Sequence, residues 1–285
     1  MRNLILKNSG FKYCYKIADS LYQSDTQIKE LEYLLQAPFQ FNSRKANFSN
    51  QSPETNTIFH HLTAIGENNY PLHVLFDKDK NYHVKINDDL YNIGNNSIHA
   101  NIQNIDVTVL MGPVFILHLA KNWIFCLHAS AFIVNDTCFI LMAESGTGKS
   151  TIARYIQQQK LGTRIADDIV PLKIIKEKLT ILPSFPQLKL NQEQQHTGEN
   201  VSLKTVAIFA NKSSKETSLS KIKQFQTMIN LIQHSVATKL FAESELKNHL
   251  SFCHQMSSRI DAYELNYQHN KNSLNQFWKL INDII

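Results

Sequence analysis

The residues that could do chemistry in this 285-residue chain fall in three short runs: Leu127-His-Ala-Ser130, Ala143-Glu-Ser-Gly-Thr-Gly-Lys-Ser150 and Ala166-Asp-Asp168. The middle run fits the phosphate-binding loop pattern, with Ala143 where the pattern usually has its first Gly. Gly146 and Gly148 permit backbone angles that a side chain forbids, so successive N–H groups can turn inward on a phosphate chain. A helix opening at Lys149 adds its positive end, and the Lys149 ammonium supplies a mobile cation for the outer phosphates. The Ser150 hydroxyl is placed to hold Mg2+. The expected nucleotide contacts are Glu144, Ser145, Gly146, Thr147, Gly148, Lys149, Ser150 and Thr151.

The carboxylate pair Asp167-Asp168 follows one helix later. Phosphoryl transfer needs one Asp on the metal and a second free to accept a hydroxyl proton. The pair itself does not say which Asp does which. His128 reads equally as a buried structural histidine and as a residue within reach of the loop. Lys189 reads as an ordinary exposed lysine, or as a second cation for the phosphates.

Definite elements must position these groups. Trp123–Val134 is expected as a long strand, turned at Asn135-Asp136 into the strand that feeds the loop. After the loop comes a helix that Leu161-Gly162 would cap, then a short strand from Thr163 that ends in the two carboxylates. Strand, loop, helix and return strand make a right-handed, parallel β-α-β unit.

Upstream, 11–25 reads as short strands, 28–36 as a helical turn or two, and 40–56 as a polar loop or linker. Alternation over 70–104 predicts an antiparallel meander, and Asp106–Lys121 has helical spacing. Adjacent His60-His61 point to opposite sides of a strand and make a surface pair rather than a metal site. Downstream, strands are expected at 170–175, 179–182, 187–190 and 206–209. Two helices follow, one carrying Ile222, Phe225, Met228, Ile229, Ile232 and Val236 on one face and the other Leu246, Leu250, Cys253 and Ser257. An edge strand at 263–267 and a closing helix complete the chain.

A formal net charge of +5 with scattered Lys and Arg argues against nucleic acid as a partner. No uncharged stretch reaches the ~18 residues of a membrane span, and the apolar start is too short for a signal peptide. Cys14, Cys126, Cys138 and Cys253 form no C-x-x-C pair and predict buried, reduced thiols in a cytoplasmic protein.

The order and tight spacing of Leu127-His-Ala-Ser130, Ala143–Ser150 and Ala166-Asp-Asp168 resemble the catalytic domain of HPr kinase/phosphorylase and its relatives, whose nucleotide core is similar to that of phosphoenolpyruvate carboxykinase. The resemblance covers roughly residues 106–210. Pro186-Gln-Leu-Lys-Leu, Asn248-His-Leu-Ser-Phe and Tyr263-Glu-Leu look like a subgroup found beside genes for ribosomally made peptides such as lasso peptides, where kinases of this type phosphorylate a peptide hydroxyl. It implies that Lys149 binds the transferred phosphate and Ser150 the metal. Of Asp167 and Asp168, one would hold Mg2+ and the other act as base, with His128 assisting. The family's Glu-, Arg- and Gly-containing segment after the Asp pair is absent here, which removes the ground for HPr as substrate and for reversibility.

The expected fold is therefore α/β (α+β overall). A P-loop core of the HPr kinase/PEP carboxykinase type would occupy 105–285, ending in a helical part. An N-terminal, mainly antiparallel β region at 1–104 is the natural place for acceptor recognition. The expected activity is ATP- and Mg2+-dependent transfer of the γ-phosphate to a serine-type hydroxyl of a peptide or protein. A nucleotide-sensing module without transfer and a small-molecule kinase are the alternatives. The family commonly assembles, and the sequence leaves a homo-oligomer open.

Overall fold

The computed structural model describes residues 3–6, 13–18, 20–24, 60–65, 71–77, 81–86, 89–94, 97–101, 110–183, 185, 200–212, 217–268 and 270–284. It is a mixed α/β structure in two compact units, Met1–Asn122 with Ala237–Leu246, and Trp123–Val236 with Lys247–Ile285.

The first unit is built on strands β1 (Asn3–Leu6), β2 (Tyr13–Ile17), β3 (Ser20–Ser24), β4 (His60–Ile65), β5 (Pro71–Phe76), β6 (Tyr82–Ile86), β7 (Asp89–Ile93) and β8 (Ser97–Asn101). They form one eight-stranded sheet in the order β2-β3-β1-β8-β7-β6-β5-β4. The expected meander is present as β5 to β8, each antiparallel to the next. Its alternation is physical: Tyr82, Val84 and Ile86 are buried, while His83 and Lys85 between them are not. β1 runs parallel to β3 and β8, a pairing of distant segments that alternation cannot announce. His60 and His61 open β4, but their side chains lie outside the described residues, as do 28–36 and 40–56.

The helix expected over 106–121 is shorter than its spacing suggested. Regular helix α1 covers only Phe115–Lys121, with Phe115 to Ala120 buried. Ahead of it Leu110–Val114 is an irregular turn containing Pro113, and Gly112 before that proline has ψ −113°. A residue preceding proline is pushed out of the helical region, so the apolar pattern continues where the helix cannot. Residues 106–109 lie outside the described residues.

The second unit contains β9 (Phe125–Val134), β10 (Thr137–Met142), α2 (Lys149–Gln158), β11 (Thr163–Ile175), β12 (Lys178–Ile181), β13 (Lys204–Lys212), β14 (Ser218–Lys221), α3 (Gln224–Gln233), α4 (Glu243–Ser257, which begins in the first unit), β15 (Asp261–Tyr267) and α5 (Lys271–Asn282). Its sheet runs β12-β11-β9-β10-β13-β15-β14. β9 and β10 are joined by Asn135 (φ 43°) and Asp136 (φ 59°), both left-handed as a tight two-residue hairpin turn requires. β10 is buried along its whole length, between antiparallel β9 and parallel β13.

Two expectations about the return strand need correction. β11 runs in the same direction as β10 but is not its neighbour, because β9 lies between them, antiparallel to both. Nor does it end at the carboxylates. It continues to Ile175, with Asp167 and Asp168 in its middle.

Helix α2 buries Ile152, Ala153 and Ile156 in a core with Phe132, Phe139 and Leu141 of the sheet and Phe277 and Ile281 of α5. Its C-terminal turn is closed by Lys160 at φ 56°, not by Gly162. Gly162 answers a different need: a Cβ there would lie 2.3 Å from the Ile133 carbonyl oxygen and 2.8 Å from Val134 Cγ2.

The helical faces expected near the C-terminus also differ. Of α3, the buried residues are Thr227 and Leu231, and Phe225 is 73% exposed. Of the second helix, Cys253 and Ser257 are buried as expected, but Leu246 and Leu250 are exposed, and His249, Phe252 and Met256 are buried instead. Cys126, Cys138 and Cys253 are buried free thiols.

Gly162→Ala should destabilise the protein by about 1–3 kcal/mol, the usual cost of overpacking, seen as a lower midpoint in urea denaturation. Unchanged stability would mean the α2–β11 connection relaxes freely.

Candidate functional site

The residues expected to form a phosphate loop gather at the C-terminal end of β10. Gly146 (φ 78°) and Gly148 (φ 103°) both hold left-handed angles that L side chains rarely adopt. Gly148 precedes α2, and no side chain caps that helix, which leaves its first N–H groups for a ligand. Lys149 is buried and folds back on the loop, donating to the Ala143 carbonyl at 2.7 Å and the Glu144 carbonyl at 3.3 Å. The Tyr267 hydroxyl of β15 donates to the Thr147 carbonyl and fixes the other side of the loop.

Asp167 joins three elements. Its Oδ1 accepts from Ser130 of β9 and, at 3.0 Å, from Ser150 of α2. Its Oδ2 accepts from Arg164 on its own strand. Both side chains of that ion pair are buried, and Nε and Nη1 of Arg164 have no hydrogen-bond partner among the described residues. Burial lowers the Arg164 pKa, against the pull of Asp167. In a regular strand, residues three apart face opposite sides. The register against β9 shifts between Arg164, paired with Phe132, and Ala166, paired with Ala131. That bulge inserts one residue, reverses the alternation and lets Arg164 meet Asp167.

Asp168 is set differently. Its φ is +86°, strained for a non-glycine residue, and its Oδ1 lies 3.5 Å from His128 Nε2. Both side chains remain partly exposed, at 39% for His128 and 27% for Asp168. Successive strand residues ordinarily point apart, so the left-handed angle is what carries Asp168 toward His128. The His128 backbone N–H donates to the His234 carbonyl at 2.8 Å, and Val236 N–H to the Cys126 carbonyl at 2.9 Å. The segment after α3 thus occupies the edge of β9 beyond the last pair of β10, Met142 with Ala129.

A cavity of ≈ 530 Å³ opens beside the loop, lined by His128 and Ala143 to Ser145 on one side and by α3 and β13 on the other. His234 in its wall has its pKa lowered to about 4, chiefly by burial and further by Lys149 and His128 nearby. The α3 and β13 walls were missed by sequence reading, as was Arg164, and Ser130 was named within its run but given no role. The one signal for Arg164 was a charged residue within a largely apolar strand. Lys189 lies outside the described residues.

The donor set suits Mg2+, which takes hard oxygens and commonly only one or two carboxylates beside phosphate oxygens. Ser150 and Asp167 present hydroxyl and carboxylate oxygen together. Among the described residues there is no group of three or more His, Cys, Asp and Glu that could hold a metal ion, and no helix is long and apolar enough to cross a membrane.

No protein-family model matches the sequence, and no curated protein matches it. Among solved structures, the HPr(Ser) kinase/phosphatase from Coxiella burnetii is similar over 55% of this chain and 94% of that chain, at 10% identity and a TM-score of 0.32. At that score the likeness gives no residue a role.

Arg164→Leu should cost about 3–5 kcal/mol in chemical denaturation, because it leaves a buried carboxylate without its cation. A loss below about 1 kcal/mol would show that the two serine hydroxyls suffice. A second expectation concerns His249, which is buried, 2.7 Å from the Ser235 hydroxyl, with its pKa lowered to about 4 by burial. Above its unfolded value near 6.5 both states carry a neutral ring. As pH falls from there toward 4, the unfolded chain takes up a proton that the folded chain refuses, so stability declines. His249→Gln should flatten that decline between pH 6.5 and 4 in parallel urea titrations, and a slope equal to the parent's would refute the assignment.

Proposed function

We propose that this chain is an ATP- and Mg2+-dependent kinase that transfers the γ-phosphate to a serine-type hydroxyl of a peptide or protein. The observation that carries this reading is the division of labour between two adjacent carboxylates. Asp167 is buried and already accepts from Ser130, Ser150 and Arg164, which suits a fixed anchor for a metal. Asp168 is partly exposed and held beside His128, which suits a proton acceptor.

Bound Mg2+ would neutralise phosphate charge, held by Ser150 and Asp167. Lys149 would leave the Ala143 and Glu144 carbonyls for the outer phosphates, while the N–H groups of the loop and of α2 orient the chain. Asp168 takes the proton from the acceptor hydroxyl as its oxygen bonds to the terminal phosphorus and the bond to the leaving oxygen of ADP breaks. His128 steadies the carboxylate and passes the proton to solvent. Residues 1–104 would recognise the body of the acceptor.

Mass spectrometry of candidate seryl acceptors incubated with ATP and Mg2+ tests the proposal. Asp168→Asn should slow transfer by about 10²–10⁴-fold with nucleotide affinity little changed, whereas Asp167→Asn should also weaken the response to Mg2+. Full transfer by Asp168→Asn would remove the assigned base. Tight nucleotide binding with no phosphorylated product from the parent would favour a sensing module, and phosphate on a small hydroxyl compound alone would favour a small-molecule kinase.

A further inference from the structure

The cavity beside the phosphate loop has a wall that the transfer reaction does not use. Gln226, Asn230 and Gln233 of α3 line it, opposite Asn211 and Glu264. Their spacing, four then three residues, places them in one stripe along the helix. The stripe is about 10 Å long at 1.5 Å per residue, close to three residues of extended chain at about 3.3 Å each. A carboxamide presents an N–H donor and a C=O acceptor side by side, the same two groups that a peptide bond offers. In this structure they pair with neighbours: Gln226 donates to Asn230 at 2.9 Å, and Asn211 donates to Glu264 at 2.8 Å. These are surface contacts that an incoming chain can exchange at little cost.

We propose that this amide-lined cavity is the acceptor subsite, built to hold an extended peptide of neutral or basic character through its backbone; the assignment rests on the kinase reading. Position supports it. Ala143 and Glu144, whose carbonyls hold Lys149, form part of the wall, and so does His128 beside Asp168. The cavity therefore opens beside the residues to which the kinase reading assigns the outer phosphates and the proton acceptor. Its ≈ 530 Å³ exceeds a single serine or a small polyol and lies within the ordinary range of ligand pockets. Charge supports it as well. Among the described residues the ionisable groups in the wall are Glu144, Glu264, His128 and His234, and His234 is kept neutral at pH 7. Two carboxylates, with no Lys or Arg among these described wall residues, would repel an acidic acceptor. The apolar floor is small, Phe209 and Ile222, and the Phe209 ring is already stacked on His234 at 6.0 Å between centroids.

The test uses the full chain, nitrogen-labelled and saturated with Mg2+ and a non-hydrolysable ATP analogue. It is titrated with a pool of short, blocked peptides carrying a central serine and varied neutral or basic flanks. The side-chain amide resonances of Gln226 and Asn230 should move and saturate. Gln226→Leu with Asn230→Leu should weaken peptide binding at least about tenfold, or about 1.4 kcal/mol, with an unchanged circular dichroism spectrum. The surface change Gln233→Leu serves if that pair misfolds. Saturating shifts with adenosine alone would make the cavity a base site, and saturation by free serine or glycerol would make it a small-molecule site. Either result overturns the proposal, as does a pool that moves nothing. Phosphate transfer is scored separately. Peptide shifts without phosphorylation would sink the kinase reading and leave a peptide-binding cavity that is no acceptor subsite. Transfer with the parent's KM in the leucine variants would sink the subsite and leave the kinase reading standing.

Discussion

The second unit depends on one buried negative charge. Asp167 sits where β9, β11 and the first turn of α2 meet, and each contributes one donor: Ser130, Arg164 and Ser150. A carboxylate removed from water is costly unless its lone pairs are met, so these three elements are held in one arrangement or the charge is not tolerated. The hydroxyl of Ser150 is thereby fixed in the first turn of α2, where the glycine loop ends. Arg164 supplies the counter-charge, although its Nε and Nη1 have no hydrogen-bond partner among the described residues. A core built for stability alone would hardly bury such a pair, since apolar residues of equal volume commonly do as well. The pair is better understood as the cost of holding an anion at a chosen place.

The sheet order explains how that place is reached. Because β9 lies between β10 and β11, the chain must cross over β9 by way of α2, and the loop and the carboxylates come to the same end of the sheet. β10 leaves β9 after Met142, so the edge of β9 at Leu127 and His128 loses its partner there. The residues after α3 take that edge, pairing Ser235 with Leu127. One substitution of partner thus does two things: it satisfies the backbone of His128 and brings α3 alongside the loop.

Local patterns made part of this legible. The bend from Ala143 to Ser150 could be read because it rests on left-handed backbone angles that two glycines permit, which is a property of the sequence at that spot. The strands of the meander showed themselves by alternation, and the Asn135-Asp136 turn by residues that tolerate left-handed angles. The division between Asp167 and Asp168 could not be read. It depends on a bulge near Ile165 and on the angle at Asp168, both fixed by pairing with β9 from some 35 residues away. Helix faces failed for a related reason: Phe225, Leu246 and Leu250 fit an apolar stripe, yet the neighbours that decide burial are set by the fold.

The strain at Asp168 belongs to the same arrangement as the buried Asp167 charge. A left-handed angle at a non-glycine residue costs on the order of 1 kcal/mol or more, and it persists here in the middle of a long strand, paired on β9 with Ala129. Were Asp168 to keep the regular alternation, its carboxylate would point away from the side on which Asp167 meets Ser130. The two acids would then flank the sheet rather than one site. The bulge before Asp167 and the twist at Asp168 therefore act together. The first turns Asp167 toward Arg164 and Ser150, and the second keeps the next residue on hand beside His128. A strand that bends its own rules twice within five residues, Arg164 to Asp168, is being held to a geometry that packing alone does not require.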